Sequence, residues 1–253
     1  MIVYSYGDIH GMYGYMKKAY ERILNAHEQM HKDEKCIHVF LGDYIDRGPR
    51  SKDVLDFVAE NYDKEEFVFL PGNHEDFMYK FLFEEVGSIE FMKTVAVWAN
   101  NGGPETLRSY FGDEAMSGIN WMGAKLKEWR KRILEEYPSH AEVLKKMFKN
   151  DYYKIIDNVL YVHAGIDPFV KLEEQRPETF LWTRNKPFLK RTFLSEHVEQ
   201  TEFKTVVHGH TVERDAQITE NRIGIDTGAV FFGKMTVAKM VDGILKELYT
   251  IKE

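Results

Sequence analysis

The sequence predicts an α/β protein built on a largely parallel sheet, and three of its stretches carry that prediction. Ile2–Tyr6, Cys36–Leu41 and Phe67–Leu70 are short apolar runs rich in β-branched and aromatic residues, and helical periodicity fills the gaps between them. Each run opens onto a glycine and then onto chemistry-bearing side chains: Gly7-Asp-Ile-His-Gly11, Gly42-Asp-Tyr-Ile-Asp-Arg-Gly-Pro49 and Pro71-Gly-Asn-His-Glu75. A β-α-β-α-β order with polar clusters after each strand is the pattern by which parallel sheets gather ligands at their carboxyl edge.

After the first cluster, Tyr13, Met16, Tyr20, Ile23 and Leu24 recur at helical spacing, and a polar segment, Ala26–Lys35, follows. His27 and His31 stand four apart there, but no strand or glycine turn frames them, and they read as helix surface. The second cluster holds two carboxylates three residues apart. Asp43 and Asp46 repel each other unless a positive group lies between them, and Arg47 can neutralise only one, so Asp43 is left seeking a cation. Ser51 then reads as an N-cap, with Val54, Leu55, Val58 and Tyr62 forming the apolar face of the next helix.

From about residue 76 to 150 the pattern is helical. Phe77, Phe81 and Leu82 lead to Phe91, Val95 and Trp98, then to Trp121, Leu126, Trp129, Ile133 and Leu134. Asn100-Asn-Gly-Gly-Pro104 interrupts the block with turn chemistry, and Pro104 suits a first helical turn. We read the block as a helical insertion beside the site of one domain spanning 1–253. Its basic stretch Lys125–Arg132 reads as a solvated face. Strands resume with Val159–Val162, which opens onto His163-Ala-Gly165, and with Thr205–Val207, which opens onto His208-Gly-His210. Between them Phe180–Arg184 is an apolar anchor with an arginine at its tip. Arg222–Asp226, Met235–Val241 and Ile244–Ile251 read as late antiparallel strands, the last two joined at Asp242-Gly243 by a type I′ turn.

Bulk composition narrows the class. An apolar fraction of 43% is ample for a core, and a net charge of −7 argues against nucleic acid as a partner. Cys36 is the only cysteine, which excludes a disulfide framework and fits a reducing cytoplasm. It lies inside a strand run and has no arginine six residues on, which argues against a cysteine-phosphatase loop. No apolar run approaches the ~20 residues that span a bilayer, and Met1 leads into a strand without a signal-peptide series. A cytoplasmic protein without a membrane partner is expected.

Five strand ends thus carry GDIHG, GDYIDRG, GNHE, HAG and HGH. Asp8, His10, Asp43, Asn73, His163 and His210 together supply carboxylate, amide and imidazole donors and no thiolate, a set that suits manganese, iron or zinc. Six such donors exceed what one catalytic ion needs, and a bridging carboxylate would make the site binuclear. Two ions about 3.5–4 Å apart polarise a phosphoryl group and turn a bound water into a hydroxide nucleophile. Arg47 and Arg184 can clamp phosphate oxygens through permanently charged forks. His74, next to Asn73, is placed to protonate a leaving alkoxide, with Asp46 to orient it. His208, Cys36 and His38 read as structural.

GDIHG, GDYIDRG, GNHE and HAG, in that order, resemble the phosphoprotein phosphatase branch of the calcineurin-like metallophosphoesterases. LWTR, NNGG and the Ile225–Val230 stretch are similar to bacteriophage and bacterial members of that branch. The resemblance implies a four-layer αββα sandwich of two mixed sheets, an α+β arrangement with two divalent metals between the sheets, manganese foremost. It assigns Asp8, His10 and Asp43 to one metal and Asp43, Asn73, His163 and His210 to the other. His74 with Asp46 matches the acid pair, and Arg47 and Arg184 match the phosphate clamps. Pro71 departs from the basic residue that relatives often carry before GNHE. Val212 stands where the wider superfamily has a second histidine, an absence this branch shares. The expected activity is a serine/threonine protein phosphatase acting on a phosphorylated protein or a small phosphoester. The alternative is a symmetrical dinucleoside tetraphosphate (Ap4A) hydrolase; Asp46 and Glu75 lean toward the phosphatase.

Overall fold

A computed structural model describes residues 1–116, 123–149, 152–184, 188–189 and 203–252. The elements run β1 Ile2–Tyr6, α1 Tyr13–His31, β2 Cys36–Phe40, α2 Ser51–Asn61, β3 Phe67–Phe69 and α3 Asn73–Phe83. Four further helices follow: α4 Ile89–Ala99, α5 Gly103–Phe111, α6 Ala124–Glu136 and α7 Pro138–Met147. The second half runs β4 Tyr153–Ile156, β5 Val159–Val162, α8 Pro177–Trp182, β6 Thr205–His208, β7 Gln217–Ile218 and β8 Arg222–Gly224. It ends with α9 Ala229–Phe232, β9 Lys234–Val241 and β10 Ile244–Lys252.

These strands form two five-stranded sheets, in the orders β10-β9-β1-β2-β3 and β4-β5-β6-β8-β7. In the first, β1, β2 and β3 are parallel and the β9–β10 hairpin closes one side antiparallel. In the second, β5, β6 and β8 are parallel, with β4 and β7 antiparallel at the two edges. Both sheets are therefore mixed, and each has three parallel strands whose carboxyl ends lie at one edge.

Alternation along the strands shows how the layers stack. In β1, Ile2, Tyr4 and Tyr6 join the core formed with α1, α2 and the helical block, whereas Val3 faces the other sheet. In β5, Val159 and Tyr161 pack toward the first sheet, while Leu160 and Val162 pack outward against Leu172, Phe180, Phe188 and Phe203. Helices, sheet, sheet and an outer cover containing α8 follow one another, so the sandwich implied by the resemblance is present. Helices α3 to α7 lie between β3 and β4 in the chain, and Phe81, Phe91, Trp98, Leu107 and Trp129 share the core of the first sheet.

Several local expectations change. Ser51 is the first residue of α2 rather than its cap, and its Oγ instead accepts the backbone N–H of Asp46 at 3.0 Å. Leu24 falls off the buried stripe of α1 and is exposed. Arg222–Gly224 is antiparallel to β7 on one side, as expected, but parallel to β6 on the other, because the chain returns to that edge by the short strand β7. Trp121 lies outside the described residues. The Lys125–Arg132 segment is a solvated face as expected: Lys125, Lys131 and Arg132 pair with Glu128, Glu135 and Glu136. His27 is buried, bonding Tyr4 Oη at 3.2 Å and the Glu34 carbonyl at 2.8 Å, a structural histidine. No helix among the described residues is long and apolar enough to cross a membrane.

Candidate metal centre at the facing sheet edges

The carboxyl ends of β1, β2 and β3 deliver Asp8, Asp43 and Asn73, and those of β5 and β6 deliver His163 and His210 from the opposite sheet. The backbone is bent to do so. Among the described residues eight non-glycine positions have positive φ, and five of them are His10, Asp43, Asp46, Arg47 and His210. The other three, Asp157, Asn158 and Asp242, lie in hairpin turns where such angles are ordinary. Left-handed conformations at five site residues are a strain that surrounding contacts must hold in place. One such contact is Gly209, where a Cβ would collide with the Asp8 carboxylate.

Asp43 lies at the centre. Its Oδ2 stands 3.4 Å from His10 Nε2 and its Oδ1 3.3 Å from His163 Nε2. Each oxygen thus faces a different group of donors: His10, Asp43 and His74 on one side, and Asp43, His163 and His210 on the other, with donor atoms within 4.8 Å of one another in each. Asn73 adds its Oδ1 to the second group, 2.9 Å from His163 Nε2. Asp8, expected beside His10, falls outside both of these groups, its two oxygens each 3.1 Å from the backbone N–H of His210.

The donors have the protonation that a cation needs. His10 Nδ1 lies 2.9 Å from the Ile45 carbonyl and His163 Nδ1 2.8 Å from that of Leu41, so each Nδ1–H donates and each Nε2 presents its lone pair inward. His163 Nε2 then faces two oxygens that can only accept when Asp43 is ionised and Asn73 presents Oδ1. Lone pairs converging in this way repel unless a cation lies among them. The Nε2 of His210 is buried with no hydrogen-bond partner among the described residues, which is costly for a polar atom in the interior. Donors held by one ion at about 2.0–2.2 Å stand close to the 3.3–3.4 Å separations seen around Asp43.

Electrostatics agree. Burial pushes His10 down to about 3 and His210 down to about 2, keeping both imidazoles neutral. Burial alone would raise Asp43, but the ring of histidines around it, with His74 the one favoured in its charged form, outweighs burial and holds the carboxyl well below the usual range. Asp8 is pushed upward by burial and then by Asp226 and Asp43, so a cation is what would keep it ionised. Arg47 supplies positive charge at the same place, its guanidinium donating to His10 Nε2. Arg184, exposed at the rim, reaches the His210 carbonyl with Nη2 at 3.5 Å.

His74 lies in the first turn of α3 and is fixed from two sides. Its backbone N–H donates to Asp43 Oδ1 at 3.1 Å, and its Nδ1 lies 2.6 Å from Asp46 Oδ2. Burial would lower its pKa, yet Asp43 and Asp46 reverse this and the net shift is upward, favouring a proton available for donation. Asp46 is itself fully buried. Trp98 Nε1–H donates to both of its oxygens, and Thr106 Oγ1 donates to Oδ1 at 2.6 Å.

Trp98 and Thr106 were not among the expected site residues. Trp98 sits in an apolar stripe and reads as core, while the usable signal was the Asn100–Pro104 turn. Gly102, with φ of 101°, packs so closely on Arg47 that a Cβ would strike its backbone nitrogen. That contact docks α4 and α5 against the central loop. Glu75 also has a role the sequence did not reveal. Its carboxylate accepts the backbone N–H groups of Gly72, Asp43, Tyr44 and Ile45 at 2.8–3.3 Å, tying the second and third clusters together. Asp226, likewise unanticipated, is buried against Asp8 and accepts Gly228 N–H at 3.0 Å. His208 bonds Arg222 and its neighbour's carbonyl and stays outside both donor groups.

The family model for calcineurin-like phosphoesterases matches residues 1–214. The chain is 27% identical over 247 residues to the asymmetrical bis(5′-nucleosyl)-tetraphosphatase PrpE of Bacillus subtilis strain 168, covering 90% of this chain and 86% of that protein. Among solved structures, a protein serine/threonine phosphatase from Saccharomyces cerevisiae aligns with a TM-score of 0.54 at 13% identity, over 100% of this chain and 80% of that one. A metallophosphoesterase from Sphaerobacter thermophilus aligns with a TM-score of 0.51 at 12% identity, over 100% and 89% respectively. These structures share the fold. By its sequence match the chain belongs to the calcineurin-like phosphoesterase family, and it is a hydrolase.

Proposed function

We propose that this calcineurin-like phosphoesterase is a binuclear-metal hydrolase whose substrate is a dinucleoside tetraphosphate, cleaved asymmetrically. The observation that carries the metal reading is Asp43, whose two oxygens face two separate donor groups. Asp8, His10 and Asp43 would hold one ion and Asp43, Asn73, His163 and His210 the other, with manganese foremost and iron or zinc acceptable to the same donors. When bound, two such ions polarise a phosphoryl oxygen and acidify a water.

The chain's own residues account for the rest. Arg47 and Arg184 approach the site from two sides, and their guanidinium forks neutralise and orient phosphate oxygens. His74, charged through Asp43 and Asp46, donates its proton to the leaving oxygen as the phosphorus–oxygen bond breaks. Trp98 and Thr106 donate to Asp46 and hold its orientation. One domain spanning 1–253, with residues from about 76 to 150 shaping one wall, is sufficient for this chemistry. Its absence of a membrane-spanning helix among the described residues is compatible with a cytoplasmic setting.

The substrate reading departs from the two the sequence favoured. In the sequence, Glu75 and Asp46 lean toward a serine/threonine protein phosphatase. Both turn out to serve internal contacts, Glu75 with backbone amides and Asp46 with Trp98, Thr106 and His74. They therefore say little about the leaving group. Likeness to the Bacillus tetraphosphatase over most of both chains supports a dinucleotide, and the asymmetrical cleavage in that protein's name favours ATP and AMP as products over two ADP. The test is steady-state hydrolysis by the manganese-loaded protein of diadenosine tetraphosphate and of a phosphothreonine peptide. A higher kcat/KM for the dinucleotide, with ATP and AMP released, is expected. Preference for the peptide would restore the protein-phosphatase reading, and ADP alone would make the cleavage symmetrical.

A further inference from the structure

Next to the metal centre lies a pair of side chains that the hydrolytic chemistry does not use. Phe231 and Phe232 end the short helix α9 and are 55% and 44% exposed. Scattered exposed apolar residues need no explanation, but these two are adjacent, held by backbone hydrogen bonds and each covered on one face by an arginine. Gly228 and Gly233, both left-handed, flank the helix, and Phe231 and Phe232 donate their backbone N–H groups to the Gly228 carbonyl at 3.0 and 2.7 Å. Gly228 N–H is in turn held by Asp226, which is buried against Asp8. The aromatic pair is thus tied through two residues to the metal-facing carboxylate.

Each ring also carries an arginine. The Arg47 guanidinium lies over Phe231 with Cζ 5.3 Å from the ring centroid, and that of Arg214 lies over Phe232 at 4.9 Å. Arg47 is the same residue that donates to His10 within the first donor group. A phosphate held by Arg47 therefore has Phe231 as its immediate neighbour, and a second guanidinium stands one ring further out.

We propose that Phe231 and Phe232, framed by Arg47 and Arg214, form the subsite that stacks one nucleobase of a nucleotide substrate. The match is chemical: a nucleotide joins a flat π-face to a chain of anionic oxygens, and this surface joins exposed aromatic faces to guanidinium groups leading into the metal centre. A phosphoserine or phosphothreonine side chain offers the anion without the ring. The assignment rests on the nucleotide reading of the substrate, which it sharpens by naming what holds the nucleoside end.

The experiment compares ATP with inorganic tripolyphosphate as competitive inhibitors of p-nitrophenyl phosphate hydrolysis by the manganese-loaded protein. Tripolyphosphate carries the same phosphate chain with no nucleoside, so the ratio of the two inhibition constants isolates the base. Wild-type protein should bind ATP roughly ten-fold or more tightly than tripolyphosphate, the scale of one base stacked on an aromatic ring. The ratio should collapse toward unity in the Phe231→Ala/Phe232→Ala double variant and persist in Phe231→Trp, which keeps a stacking surface. An ATP preference that survives the double variant, or that disappears equally in Phe231→Trp, overturns the subsite. If diadenosine tetraphosphate is not hydrolysed while the preference exists and is lost in the double variant, the subsite stands and the substrate reading falls. Hydrolysis of the dinucleotide with no such preference leaves the substrate reading standing and removes the subsite.

Discussion

The indole Nε1–H of Trp98 stands 2.9 Å from each carboxylate oxygen of Asp46. Both groups are fully buried, and Asp46 in turn lies 2.6 Å from His74 Nδ1. A side chain of the helical block thus sets the orientation of His74, the proposed general acid, through one intermediary. Trp98→Phe removes the donor and keeps most of the packing. A hydrogen bond to a charged group is worth about 1.5–3 kcal/mol, so kcat for a poor leaving group should fall roughly ten-fold. The pH profile of kcat should move with it, because Asp46 is freed to alter its hold on His74. An unchanged profile alongside a lowered melting temperature would mean that Trp98 is only core.

His74 itself gives a sharper test. His74→Asn leaves the donor set of Asp43, His163, His210 and Asn73 in place but removes the proton donor. Phenyl phosphate hydrolysis should drop by about 10²–10⁴-fold, and p-nitrophenyl phosphate, whose leaving group needs little protonation, should drop far less. Equal losses on the two esters would assign His74 to metal binding, which its place in the first donor group makes a real alternative.

Asp43→Asn removes the one charge shared by both donor groups. Bound manganese, counted by elemental analysis after gel filtration, should fall for both sites together. The affinity loss should exceed the roughly 10–100-fold that follows removal of an outer-shell partner. Loss of a single ion, with the other retained, would show that Asp43 does not bridge.

Acid stability has a source remote from the site. His38, buried on β2 with Nδ1 2.8 Å from Tyr6 Oη, is pushed down from 6.5 to about 4 mainly by burial. The unfolded chain takes up this proton near pH 6.5 and the native chain resists it until about pH 4, so stability falls as pH drops through that window. A shift of that size corresponds to about 3 kcal/mol lost across it. His38→Gln keeps a hydrogen-bonding partner for Tyr6 and cannot titrate. Its urea-unfolding free energy should therefore decline less between pH 6.5 and 4 than that of the wild type, and parallel curves would contradict the assignment.

Much of the centre was legible from residue order alone, because a strand, a glycine and a polar cluster are local events. Asp8, His10, Asp43, Asn73, His163 and His210 could be pooled from five strand ends since period-two alternation and turn residues operate over a few neighbouring positions. The same locality explains the layers: the parity that sends Val3 one way and Tyr4 the other is written in the strand itself.

What the tertiary structure decided involves partners far apart in the chain. Trp98 and Thr106 reach Asp46 across 52 and 60 residues, and nothing in an apolar helical stripe distinguishes the tryptophan that donates inward from those that only pack. Glu75 could be seen in its motif, but not the four amides that converge on it. Arg222–Gly224 could be seen as a strand, but not that its neighbour would be β6 in parallel. The aromatic pair of α9 gains meaning only beside Arg47 and Arg214. Periodicity records which face of an element is apolar; which distant group that face or tip will meet is settled by packing two sheets face to face, and so it is decided only in the folded molecule.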